Sequence, residues 1–127
     1  MSAGHRLSKC RILVIEDEYF LAMELMALLE DEGAEIIGPL GNVEEALEQV
    51  VRNGFDVAVL DINLQGAESY SCADELERRH VPFVFASGYH ESHIPRRFSD
   101  VHLWQKPYDH RALVADIKRL CTGSSQN

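Results

Sequence analysis

Cations are scarce in this chain: 12 Lys and Arg stand against 21 Asp and Glu, a formal net charge of −9 over 127 residues. Gripping a phosphate backbone rewards clustered positive charge, so autonomous nucleic-acid binding is disfavoured. Cysteine is sparse too. Cys10, Cys72 and Cys121 are odd in number, widely separated and without a C-x-x-C pair, which argues against zinc or dithiol chemistry, and they read as reduced thiols. No apolar run approaches the ~20 residues that span a bilayer, and the polar start, residues 1–9, lacks an export segment. A cytoplasmic location without a membrane partner is therefore expected. Repeats, low-complexity tracts and linkers are missing as well, which leaves one domain over residues 9–121 with flexible tails at 1–8 and 122–127.

What is present is a core and a rhythm. Hydrophobic residues make up 46% of the chain, and at this length roughly two-thirds of the unfolded surface should be buried. Short β-branched apolar runs alternate with longer stretches of helical spacing. Residues 11–15 (RILVI) read as a buried strand, followed by a helix over 19–30 whose Leu21, Leu25, Leu28 and Leu29 share a core-facing stripe. Gly33 suits that helix's end. A weaker strand at 35–38 precedes a helix capped by Asn42 and carrying Val43, Ala46, Leu47 and Val50. Then come a strand at 56–60, a helix at 69–79, a strand at 83–86, a weak helix near 91–98, a strand at 101–104 and a closing helix at 109–120. Continuous apolar strands alternating with helices predict a doubly wound α/β domain built on a five-stranded parallel sheet. In such sheets ligands bind beyond the carboxyl ends of the strands, so chemistry is sought there.

The first strand runs into Glu16-Asp17-Glu18, the third into Asp61, the fourth into Ser87-Gly88 and the fifth into Lys106-Pro107. Three converging carboxylates, Glu16, Asp17 and Asp61, repel one another by about 4 kcal/mol per pair at ~4 Å and an effective dielectric near 20. Such crowding calls for a cation. A hard divalent ion that takes one or two protein carboxylates, keeps several waters and favours a phosphate partner is Mg²⁺. Lys106 offers an ammonium for Asp61 and for a phosphate oxygen, and Ser87 offers a hydroxyl donor. Each residue alone has an ordinary explanation: Asp17 as a cap or turn residue, Lys106 as a solvated charge, Ser87 as a turn former. Together they fall on the one edge that the topology nominates.

These residues resemble the receiver domain of two-component response regulators over nearly the whole folded chain. The acidic pair matches Glu16-Asp17, the phosphoacceptor matches Asp61 within LDINL, the hydroxyl residue matches Ser87 and the Lys-Pro matches Lys106-Pro107. Asn63 sits where the family lends a backbone carbonyl to the metal. Residues 82–89, PFVFASGY, further resemble the PFxFATGY signature of a subgroup of often stand-alone receivers, with Ser for Thr. The resemblance implies a flavodoxin-like sheet of strand order 2-1-3-4-5 and a fourth helix that is short or mobile. It implies Mg²⁺ as cofactor and a histidine kinase or histidine phosphotransfer protein as phosphodonor. Output would come through contact with a downstream signalling protein, through relay or as a phosphate sink. Apart from its own phosphorylation and dephosphorylation no enzymatic activity is expected, and a monomer is expected.

One departure bears on switching. Most receivers carry an aromatic residue three positions before the Lys; here it is Leu103, which shifts the expected readout to Tyr89, Trp104 or the weak fourth helix. Tyr89, two places beyond Ser87, is bulky enough to obstruct a hydrolytic water. His80, His90, His93, His102 and His110 lack the spacing of a metal cage and most of them read as solvated or capping residues, with His90 and His93 close enough to modulate the site. Two rivals remain. A flavin-binding domain of similar topology would need a Gly-rich loop where Glu16-Asp17-Glu18 stands. A degenerate receiver acting purely as a protein-binding module would not need the charged set that is present.

Overall fold

The computed structural model describes residues 7–88 and 94–124. Its elements are β1 (Arg11–Ile15), α1 (Tyr19–Asp31), β2 (Glu35–Leu40), α2 (Val43–Arg52), β3 (Val57–Asp61), β4 (Asn63–Leu64), β5 (Ala67–Glu68), α3 (Tyr70–Arg78), β6 (Phe83–Ser87), a 3₁₀ turn (Arg96–Phe98), β7 (Leu103–Gln105) and α4 (His110–Ser124). The main sheet is parallel throughout and ordered β2-β1-β3-β6-β7, which is the expected 2-1-3-4-5 order once the small β4–β5 pair is set aside.

Alternation along the strands sorts side chains to two cores. Leu13, Ile15, Leu60 and Phe85 face α2 and α3, where Phe85 meets the rings of Tyr70, Phe83 and Phe98 edge-on at 5.4–6.1 Å. Ile12, Val14, Val59 and Val84 face α1 and α4. On α1 the stripe is centred on Ala22, Leu25 and Leu29, so Leu21 and Leu28 lie at its margins, half-buried. Asn42 caps α2 as its chemistry predicts, its Oδ1 accepting the Glu45 N–H at 2.8 Å. Gly38 (φ +122°) is obligatory: a Cβ there would stand 2.5 Å from the Val14 carbonyl oxygen, where the β1–β2 register shifts.

Five sequence expectations change. Leu7 is no tail residue: it is fully buried, and its N–H donates to the Glu32 carbonyl at 2.9 Å. Cys10 and Cys121 are not reduced thiols but joined as a disulfide, because the parallel fold returns the last helix to the start of the first strand; only Cys72 is free. The weak helix near 91–98 is a single 3₁₀ turn after Pro95 within its described part, as expected where a proline cannot continue an α-helix. Between β3 and α3 the chain makes an unforeseen hairpin, β4–β5, whose two turn residues Gln65 (φ 54°) and Gly66 (φ 86°) are both left-handed. Histidines also differ. His110 Nε2 is buried, 3.7 Å from Glu24 Oε1 and beyond hydrogen-bond reach, while exposed His102 pairs with Asp116 at 2.8 Å. His90 and His93 lie outside the described residues.

Candidate functional site

The carboxyl ends of β1, β3, β6 and β7 meet at one edge of the sheet. Glu16 follows β1 directly, Asp61 is the last residue of β3, Ser87 is the last of β6, and Lys106 follows β7. Glu16, Asp61 and Ser87 are buried, because the strands that end in them are covered on both faces. Neighbouring strands are locked in register here: Asp61 pairs with Ala86 and Ser87 with Gln105, and the Lys106 N–H donates to the Ser87 carbonyl at 2.8 Å.

Lys106 is the electrostatic centre. Its Nζ donates to Asp61 Oδ2 at 2.9 Å, to Glu16 Oε2 at 3.0 Å and to Glu18 Oε1 at 3.1 Å. All three ammonium protons are thus spoken for. The pairing with Asp61 is the expected one; Glu18, exposed at the start of α1, was not foreseen, and only its place next to the acid pair could have hinted at it. Burial alone would lower the Lys106 pKa, but the hydrogen bond to Asp61 and the charges of Asp61 and Glu16 outweigh it and raise the value. Glu16 is raised too, which for an acid disfavours the charged form. Burial first, then the hydrogen bond and charge of Asp61, push its carboxyl up to about 8. Tyr108 is likewise raised, by burial and then by the charge of Glu16.

Single ligand atoms of Glu16, Asp17 and Asp61 all lie within 4.8 Å of one another. Three hard carboxylate oxygens so close, one of them on a side chain that resists ionisation, fit a small oxygen-seeking divalent cation. The hairpin supports this set from below. The Gln65 N–H donates to Asp17 Oδ2 at 2.7 Å, the Asn63 N–H to Asp61 Oδ1 at 3.1 Å, and the Gly66 N–H to Asn63 Oδ1 at 3.0 Å. Ser69, another unforeseen residue, donates its hydroxyl to the Asp61 carbonyl at 2.6 Å and is fully buried.

The expected switch residues divide. Leu103 pairs with Phe85 and packs, half-buried, on the α2–α3 side, whereas Trp104 points to the α1–α4 side and donates its indole N–H to Asp116 Oδ2 at 2.8 Å. Asp116 is buried and also takes His102 and Arg119. Tyr89 lies outside the described residues. Beside the site, Tyr19, Phe20 and Met23 leave an apolar patch exposed on the first turns of α1.

The profile of the response regulator receiver domain matches residues 12–118. Sensory transduction protein LytT of Bacillus anthracis is 33% identical over 113 residues, 86% of this chain and 46% of its own length. Transcriptional regulatory protein PdtaR of Mycobacterium tuberculosis is 29% identical over 91 residues, 71% of this chain and 44% of its own length. The chain therefore spans about half the length of the curated relatives it matches. Among solved structures, the BeF3-activated conformation of SdrG from Pseudomonas melonis Fr1 aligns with a TM-score of 0.72 at 35% identity, covering 90% of this chain and 98% of that one. The response regulatory domain of mrkE from Klebsiella pneumoniae aligns at 0.78 over 92% of this chain and 99% of that one, with 23% identity, a likeness in fold. The chain belongs to the response regulator receiver domain family, whose members take phosphate from histidine kinases.

Proposed function

We propose that this chain is a single-domain response regulator that accepts a phosphoryl group on Asp61 from a histidine kinase or histidine phosphotransfer protein. The observation that carries the reading is Lys106 Nζ at 2.9 Å from Asp61 Oδ2, at the centre of a carboxylate trio within 4.8 Å. A carboxylate oxygen of Asp61 attacks the phosphorus of a phosphohistidine, the P–N bond breaks and the imidazole leaves. Lys106, already oriented, is placed to follow the new charge onto a phosphoryl oxygen, and Ser87 ends the neighbouring strand where its hydroxyl can take another. Glu16, Asp17, Asp61 and the backbone carbonyl of Asn63 are the proposed Mg²⁺ ligands. The ion, when bound, supplies neutralisation of the crowded negative charge.

The chain turns over nothing beyond its own aspartyl phosphate and works in the cytoplasm through protein contact, relay or phosphate sink. Support for a stand-alone role comes from SdrG, of which this chain covers 98%. The exposed Tyr19 and Phe20 beside the site favour a protein phosphodonor. Among the described residues no helix is long and apolar enough to cross a membrane.

Labelling by acetyl phosphate tests the reading. Wild-type protein is expected to form an acid-stable, hydroxylamine-sensitive phosphoadduct with Mg²⁺, none with EDTA, and none in Asp61→Asn. Persistent labelling of Asp61→Asn would move the acceptor elsewhere, and a folded wild type that takes no label with any donor would make the chain a degenerate receiver.

A further inference from the structure

At the opposite edge of the sheet from the carboxylates, the start of β1 and the last turns of α4 are tied together. Cys10 stands immediately before β1 and Cys121 near the end of α4, 111 residues apart in sequence with Cα atoms 6.2 Å apart, inside the usual 4.4–6.8 Å span of a disulfide. The partners are held in place without the bond. The Cys10 N–H donates to the Leu7 carbonyl at 2.9 Å, and its carbonyl accepts from Glu35 at 3.0 Å. On the other side Leu113 and Ile117 bury α4 against the sheet, and Lys118 pairs with Glu32 at 2.8 Å. Closing the bond thus asks for no rearrangement of either element.

We propose that Cys10 and Cys121 form a reversible redox site, exchanging with low-molecular-weight thiols and disulfides, whose state sets how firmly the end of α4 is held. Two features make the pair selective. The third thiol, Cys72, is fully buried and its pKa is pushed up to about 11 by burial, so it yields almost no thiolate to compete or scramble. Cys121 is only partly buried whereas Cys10 is 7% exposed, so exchange starts at the Cys121 sulfur. A thiolate attacks Cys121 Sγ, the S–S bond breaks, and Cys10 leaves as a thiolate that takes up a proton. A second thiolate then attacks the small-molecule sulfur of this mixed disulfide and Cys121 leaves as a thiolate that takes up a proton, so the two small thiols, now joined as a disulfide, have given up the two electrons that the protein cysteines gain. Oxidation is the same sequence reversed. Because the bond closes a loop of more than a hundred residues, the oxidised chain loses more unfolded-state freedom than a short-range disulfide would remove. Its direct structural effect falls on the last turns of α4, the helix that also carries Asp116, and not on the Lys106 cluster at the far edge.

The test uses the full chain equilibrated in glutathione buffers of graded reducing strength, quenched with an alkylating agent and counted by mass spectrometry after unfolding. One modified cysteine at the oxidising end and three at the reducing end are expected, joined by a single two-electron titration. The melting temperature of the native protein should fall by at least about 10 °C from the oxidised to the reduced form, with faster hydrogen exchange confined to the end of α4. In Cys121→Ser both readouts should be insensitive to reductant. Three modified cysteines in every buffer, or a bond that yields only after unfolding, would overturn the proposal, as would a reduced form that melts and exchanges like the oxidised one.

Discussion

The two edges of one parallel sheet are held by opposite means. At the carboxyl edge Glu16, Glu18 and Asp61 share a single ammonium, and Glu16 carries a pKa far above the carboxylate norm. At the amino edge an apolar plug, Leu7, and a covalent bond between Cys10 and Cys121 do the holding. A cluster of charges has an energy that any added ligand or proton can change, whereas buried hydrocarbon does not respond to such inputs. The edge proposed to accept the phosphoryl group is therefore the one with an electrostatic balance that is easily tipped.

The largest effect that would sharpen this contrast is at the amino edge. Leu7→Ala should cost about 3 kcal/mol in urea denaturation, since a fully buried leucine is removed, while acetyl phosphate labelling of the protein that remains folded stays at the wild-type rate. A slower label would mean the edges are not independent. Lys106→Met is the mirror image. Labelling should slow about 100-fold, roughly 2.7 kcal/mol of transition-state stabilisation, with a smaller loss of stability, because Glu16 can take up a proton in place of the missing cation. An unfolding free energy that falls as far as in Leu7→Ala would break the comparison.

A smaller effect is expected from Glu16 and pH. Its folded pKa, about 8, lies above the ordinary 4.5, so the folded chain keeps a proton that the unfolded chain releases. The corresponding stability is fully present below pH 4.5 and is lost as pH rises towards 8. In EDTA the unfolding free energy should decline by about 1–2 kcal/mol between pH 5 and 8, and Mg²⁺ should flatten the slope by favouring the ionised form. Glu16→Gln should remove the slope altogether; a slope that persists in that variant would place its origin elsewhere. Smallest is Asn42→Ala, which should cost about 1 kcal/mol for the lost α2 cap and leave the pH slope untouched.

Much of the fold and of the site was legible in the chain because the strands are buried on both faces and so appear as unbroken apolar runs, with RILVI running straight into Glu16 and FVFAS ending on Ser87. Glu16, Asp17, Asp61, Ser87 and Lys106 could be collected from the polar residues at the carboxyl end of each run. The rest depended on the third dimension. Leu7 is one apolar residue in a polar stretch, with no periodicity to betray it. Cys10 and Cys121 are neighbours only once the sheet order is known, and their separation of 111 residues hides that. The β4–β5 strands have two residues each, too short for any alternation, although Gln-Gly between Leu64 and Ala67 is a turn signal in retrospect. Glu18 and Ser69 act through single side-chain bonds whose partners, Lys106 just after β7 and the carbonyl of Asp61 at the end of β3, lie on other parts of the fold.

Trp104 is the one tryptophan of the chain, with its indole N–H on buried Asp116 and its ring 4.9 Å from that of His102. Its fluorescence comes from a single origin, seated between the last strand and the last helix. Any event that loosens or tightens that seam should change the emission colour or intensity, so the protein carries its own optical gauge and needs no attached dye.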